Sequence, residues 1–160
     1  MSQAVEVTYT NSVAKARRPW AVAILCVVTL GVYAWVWYYK VNREMRDFGS
    51  ARADRQLAES NPGRSLLAIT VGGLLVIPSF ISLVRMTGRV QNVQRVAFGT
   101  APSRSGLIAL VVCSQLLRAA ALVHGAGVAF AFALAGAVGI GLAFGLMQAQ
   151  LNWVWGNARA

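Results

Sequence analysis

The sequence is short of charge. Only 12% of its 160 residues are Asp, Glu, Lys or Arg, against about 25% in a typical globular domain, too few for an ordinary water-facing surface. Acids are scarcest: Glu6, Glu44, Asp47, Asp54 and Glu59 are all of them, and every one precedes residue 65. No carboxylate therefore falls inside the long apolar runs, which deprives proton-coupled transport of the group it commonly uses. One histidine, His124, gives nothing to build a metal cluster around, and no nucleophile, base and orienter can be assembled from the residues present. The expectation is a protein that is not an enzyme and needs no cofactor or metal. Cys26 and Cys113, the only cysteines, lie inside apolar runs, where a thiol behaves as a small hydrophobe and not as part of a disulfide framework.

What the sequence has is hydrophobicity, 57% of all residues. Trp20 to Tyr39, Leu66 to Val84 and Gly125 to Met147 are uncharged throughout, and Gly106 to Val123 is interrupted only by Arg118. About 18 such residues suffice to cross a hydrocarbon layer about 30 Å thick. The net charge of +10 read alone suggests nucleic acid, but its distribution does not. Lys15, Arg17 and Arg18 precede the first run, Arg85, Arg89, Arg95 and Arg104 follow the second, and Arg159 follows the last. Cations that bracket apolar segments suit retention and contact with anionic headgroups, and the basic segments hold few aromatics to stack on bases. The expected partner is the lipid bilayer, not nucleic acid. The first run ends in bulky aromatics, not in a small-residue cleavage site, so it reads as a retained helix and not as a signal peptide.

Along the chain, residues 1–16 read as a flexible polar tail and 17–157 as one transmembrane domain. Trp20 at one end of the first run and Trp35, Trp37, Tyr38 and Tyr39 at the other match headgroup belts. Gly31, near its middle, leaves two geometries open, a full crossing or a re-entrant dip. Beyond it Val41, Met45 and Phe48 recur at i, i+4, i+7, with Lys40–Glu44 and Arg43–Asp47 spaced as i+4 ion pairs, which predicts an amphipathic extension stopping at Gly49. Ser60 to Gly63 reads as a turn. Gly72, Gly73 and Pro78 predict a kink in the second run. Met86, Val90, Val93 and Ala97 then form a stripe beside Arg85 and Arg89, as in a helix lying on a membrane surface. The region 106–147 is twice the length of one crossing and predicts a hairpin with its tip near His124. In its second arm Gly125, Ala129, Ala133, Ala137, Gly141 and Gly145 make a small-xxx-small ladder, a route to a homo-oligomer or a membrane-protein partner. Arg118, with Ser114 and Gln115, makes a polar stripe that either faces the bundle interior or snorkels to the nearer interface. Gln148, Asn152 and Trp155 suit the headgroup layer or packing on the first helix.

Three stretches, TLGVYAWVWYYKVNREMRDFG, NPGRSLLAITVGGLLVIPSFISLVRMTGRV and QAQLNWVW, together resemble DUF4234, a family of bacterial membrane proteins whose domain has no known function. The resemblance rests on Thr29, Gly31 and Tyr33, followed by Trp37, Tyr39 and Lys40; on Gly72, Gly73 and Pro78 leading to Gly88 and Arg89; and on Gln148, Leu151, Asn152 and Trp155. It implies a multi-pass protein of the bacterial cytoplasmic membrane and brings no activity. The fold expected is an all-α membrane protein, a bundle of about four transmembrane helices near 20–39, 66–84, 106–123 and 125–147, with short amphipathic interfacial helices. Both termini are expected in the cytoplasm and the loop after Tyr39 outside, unless the first run dips and returns, when that loop is cytoplasmic too. The function expected is structural, a helix-interaction module, with a small transporter or channel subunit as the alternative.

Overall fold

The computed structural model describes residues 3–6, 13–29, 31–59, 61, 63, 67 and 76–158. Gly72, Gly73 and the first half of the second apolar run, Leu67 apart, lie outside the described residues. Six helices carry the described fold, after one strand pair. In the segment expected as a polar tail, β1 (Gln3–Glu6) and β2 (Val13–Ala16) pair antiparallel, Gln3 opposite Ala16 and Glu6 opposite Val13.

The first apolar run is two helices, not one over 20–39. The first, α1 (Pro19–Val28), opens on a proline at a position that needs no N–H donor, and α2 (Val32–Ala51) follows three residues after it ends. Gly31 between them has φ +92°, a left-handed conformation that side-chain-bearing residues resist. Its N–H reaches back to the Cys26 carbonyl at 2.8 Å. The Thr29 hydroxyl donates to the Leu25 carbonyl at 2.7 Å and accepts from the Tyr33 N–H at 2.9 Å, serving the end of one helix and the start of the next. The chain then turns back on itself, because Arg17, just before α1, meets Glu44, well into α2. Ten residues at about 1.5 Å each make α1 about 15 Å long, half of a hydrocarbon layer. Twenty uncharged residues look alike whether straight or folded back; the break at Gly31 decides which.

Beyond Tyr39, α2 buries its stripe of Val41, Met45 and Phe48 as its periodicity requires. It does not stop at Gly49, because that glycine receives a neighbour: a Cβ there would lie 3.0 Å from the Ala58 N of α3 (Arg55–Ala58). The chain turns two residues after α2 ends, at Ala53 with φ +54°, and Asp54 caps α3 by accepting from the Leu57 N–H at 2.9 Å. Of the expected turn at 60–63, Ser60 and Pro62 lie outside the described residues; the Asn61 side chain accepts from the Gly63 N–H at 3.0 Å. In α4 (Val76–Phe98) Pro78 falls in the first described turn. The Met86, Val90 and Val93 stripe of α4 is fully buried within the protein, and Asn42 of α2 reaches Met86 Sδ at 3.7 Å. The expected surface helix is therefore a core helix, its stripe covered by α2 and by the two helices of the C-terminal hairpin.

The hairpin at the C-terminal end of the chain matches expectation in its tip and exceeds it in length. α5 (Ser105–Ala120) and α6 (Ala126–Asn157) flank a turn holding His124. With 32 residues α6 runs about 48 Å, well past Met147. The last two members of its ladder of small residues, and Gly136 beside the ladder, close inside the chain, while Gly125 and Ala133 stay exposed. A Cβ on Gly141 or Gly145 would lie 2.9 Å from the carbonyl oxygen of Ala23 or Pro19 in α1, and one on Gly136 would lie 2.8 Å from the Ser114 carbonyl in α5. α6 thus packs α1 on one side and α5 on another through backbone-to-backbone approach.

Of the four expected spans, α6 alone among the described helices is long and apolar enough to cross a membrane, with a mean hydropathy of 2.1 over its most apolar stretch. Only 22% of that stretch is buried, whereas a soluble core helix would bury most of it. α1 and α5 are apolar but shorter.

Candidate functional site at the basic end

The C-terminal parts of α2, α4 and α6 meet at one end of the molecule. Phe48 stands edge-on to Trp155 with ring centroids 5.2 Å apart, and Phe98 packs on Trp153 at 4.5 Å. The start of α1 joins them through a chain of buried polar groups. Trp37 Nε1 donates to Gln148 Oε1 at 2.7 Å, and Gln148 Nε2 donates to Asn152 Oδ1, also at 2.7 Å. The same Asn152 oxygen accepts from the Arg17 backbone N–H at 3.1 Å, while Asn152 Nδ2 donates to the Arg17 carbonyl at 2.5 Å. The Arg17 guanidinium then holds Glu44 by both oxygens, at 2.5 and 3.0 Å. Every link either ends on an amide or is charge-assisted, so α1, α2 and α6 are pinned in register by polar atoms largely withdrawn from water.

Glu44 is the group that sequence reasoning misplaced. Its i+4 spacing pointed to Lys40, but it pairs with Arg17, and both side chains are close to nine-tenths buried. Arg43 and Asp47 do form their expected pair, at 3.9 Å on the surface. A second cluster ties α2 to α4: Arg89 donates to Asn42 Oδ1, and Asn42 Nδ2 donates to the Tyr38 carbonyl at 2.7 Å.

The residues singled out from sequence fall into four places. Thr29, Gly31 and Tyr33 build the hinge. Trp37, Gln148, Leu151, Asn152 and Trp155 build the core of the basic end; Leu151 and Trp155 are fully buried, and the Trp155 indole N–H has no partner among the described residues. Tyr39 and Lys40 are exposed, and Gly88 faces Arg104. Ala137 and Arg118 sit apart from this end, lining with Cys26 and Gly31 a cleft of about 260 Å³. Arg118 occupies the last turn of α5, where a cation suits the helix dipole, and donates to Gln115 Oε1 at 3.5 Å.

Residues 17–92 match the family model described as Domain of unknown function (DUF4234). Over that segment the chain is similar to DUF4234. The matched segment includes the hinge, Trp37, Glu44 and Arg89, and it ends within α4. Gln148 and Asn152 lie outside it but complete its polar core, so α6 seals the matched segment from the C-terminal side. No curated protein and no solved structure matches the chain.

Proposed function

We propose that this chain is a multi-pass protein of the bacterial cytoplasmic membrane that acts as a helix-interaction module and turns over no substrate. The observation carrying this reading is the division of its surface. Away from the basic end, large apolar side chains stand exposed on every described helix of that region. Leu116 of α5 is 64% exposed and Phe130 of α6 70%, with Val128, Leu134, Val138, Leu142 and Leu146 continuing along α6 and Ile24, Val28 and Val32 around the hinge. Water does not tolerate a continuous apolar surface of this extent, and lipid or partner helices do. Arg118 apart, the cations gather toward the opposite end, Arg17 on Glu44 and Arg52 over the Phe48 ring among them, and the positive-inside rule assigns that end to the cytoplasm. In this arrangement α5 and α6 cross as a hairpin, α1 dips halfway and returns on α2, and the charged part of α2 stays on the side from which the chain entered.

Because Gly141 and Gly145 are occupied by α1, partner contact falls to the exposed α6 face. Cysteines placed at Val138 or Leu142, in a background lacking Cys26 and Cys113, are expected to cross-link to a second chain or a partner in membranes, while one at Gly141 is not. Release of the protein from membranes by alkaline carbonate refutes the membrane reading. Absence of adducts at both exposed positions refutes the interaction reading. The Arg118 cleft favours a second reading, a small transporter or channel subunit, since a cation facing a cavity within an apolar region can attract an anion. Saturable chloride flux in proteoliposomes, lost in Arg118→Leu, would put that reading first.

A further inference from the structure

A cleft of about 290 Å³ opens between the start of α1 and the facing side of α2. Lys15, Arg17 and Arg18 line it from before α1, Tyr33 and Lys40 from α2, and Leu25 from the later part of α1. Arg17 is committed to Glu44, so its charge is answered. Lys15, Arg18 and Lys40 are exposed and have no carboxylate within ion-pair distance among the described residues. The fold brings them together on purpose of its geometry alone: an Arg17 N–H donates to the Lys15 carbonyl at 3.3 Å, fixing the strand end beside α1, and the reversal at Gly31 returns Lys40 to the same level.

The geometry points to a binding site for the phosphate of an anionic phospholipid, its headgroup on Lys15, Arg18 and Lys40 and an acyl chain along Leu25. This rests on the membrane reading above. Three cations with no counter-charge attract a phosphate from any source, and the rest of the cleft selects the lipid. Its wall toward the hinge is the apolar side of α1, with Leu25 39% exposed, which a free phosphate does not use. Trp20 and Tyr39, both exposed beside the cations, put this level at the headgroup layer. The Arg18 guanidinium lies 5.9 Å from the Trp20 ring centre, held at the cleft mouth.

The test uses the full chain in nanodiscs containing phosphatidylglycerol and phosphatidylcholine, with lipid retention read by native mass spectrometry after release. The chain is expected to retain phosphatidylglycerol preferentially, and replacing Lys15, Arg18 and Lys40 together by Gln should reduce that preference by about tenfold or more, since each such cation is worth about fivefold near an anionic surface. Arg95→Gln, an exposed cation on α4, should leave it unchanged. An equal preference in the triple variant overturns the site, and displacement of the lipid by inorganic phosphate at millimolar concentration assigns the cleft to the free ion and overturns the phospholipid. For a triple variant that does not fold, the unaltered chain decides: phosphatidylglycerol bearing a diazirine in its acyl chain should form adducts at Leu25 or Tyr33, and adducts only elsewhere refute the site. Incorporation into nanodiscs reads the membrane proposal separately, so headgroup preference can fail while that reading stands.

Discussion

Glu44→Ala is the substitution whose effect the structure fixes most sharply. The carboxylate makes two short bonds to Arg17, and the side chains are 9% and 12% exposed. Without it the guanidinium retains, among the described residues, one hydrogen bond, to the Lys15 carbonyl at 3.3 Å, and stays in a place water barely reaches. Breaking a buried pair from one side costs about 3–5 kcal/mol, because a charge is left unanswered. For a chain of this size, about 2–4 °C of midpoint per kcal/mol makes this a drop of about 6–20 °C. Asp47→Ala is the matched control on the same helix. Its partners Arg43 and Arg46 are 65% and 39% exposed, so it should cost about 0.5 kcal/mol, under about 2 °C. The double replacement Arg17→Met with Glu44→Leu removes both charges and should recover most of the loss. Thermal unfolding of detergent-purified protein, followed by the surviving monodisperse peak, measures all three. If Glu44→Ala falls no further than Asp47→Ala, the buried bidentate pair does not hold the start of α1 to α2, and the polar chain described above is wrong at its centre.

Three further outcomes are expected. Gly31→Ala should lower the midpoint, since a left-handed alanine costs about 1–2 kcal/mol with no neighbour within 4 Å to add to it; in a straight helix the same change would stabilise by about 1 kcal/mol, so the sign of the thermal shift decides. Trp37→Phe should be more damaging than Trp155→Phe in the same assay, by about 1–3 kcal/mol, because the first strands a buried acceptor, Gln148 Oε1, while the Trp155 N–H has no partner among the described residues; equal losses would contradict it. Gly141→Leu should destroy the compact monomer, its Cβ being 2.9 Å from the Ala23 carbonyl, whereas Gly156→Leu, facing open space, should leave gel-filtration behaviour unchanged.

What the sequence made legible was periodic. The buried stripe of α2, that of α4 and the hairpin tip at His124 follow from spacing alone, because a 3.6-residue repeat and a paired apolar length each have one helical solution. What the α4 stripe packs against was not legible, since lipid and a second apolar stripe ask for the same residues. Thr29, Gly31 and Tyr33 stood out as a motif, and Gly31 left a full crossing and a re-entrant dip both open; hydropathy could not choose between them, because it carries no information on the sign of φ at Gly31. Arg17 and Glu44 were hidden for a different reason. They are 27 residues apart, and a nearer cation, Lys40, offered a local partner. Gln148 and Asn152, at the end of an apolar run, suited either the headgroup layer or packing on the first helix. Their i+4 spacing was the available signal, since it put two amides on one face, where they meet Trp37 and Arg17.

The central claim is that the first apolar run folds back at Gly31 and leaves the chain on the side from which it entered. Single cysteines at Lys15, Ser50 and His124, in a background lacking Cys26 and Cys113, test it by labelling with an impermeant maleimide on intact and on opened cells. The account predicts that positions 15 and 50 label together, only after opening, and that 124 labels from the outside. Labelling of 15 and 50 from opposite sides would make the run a full crossing and contradict the account.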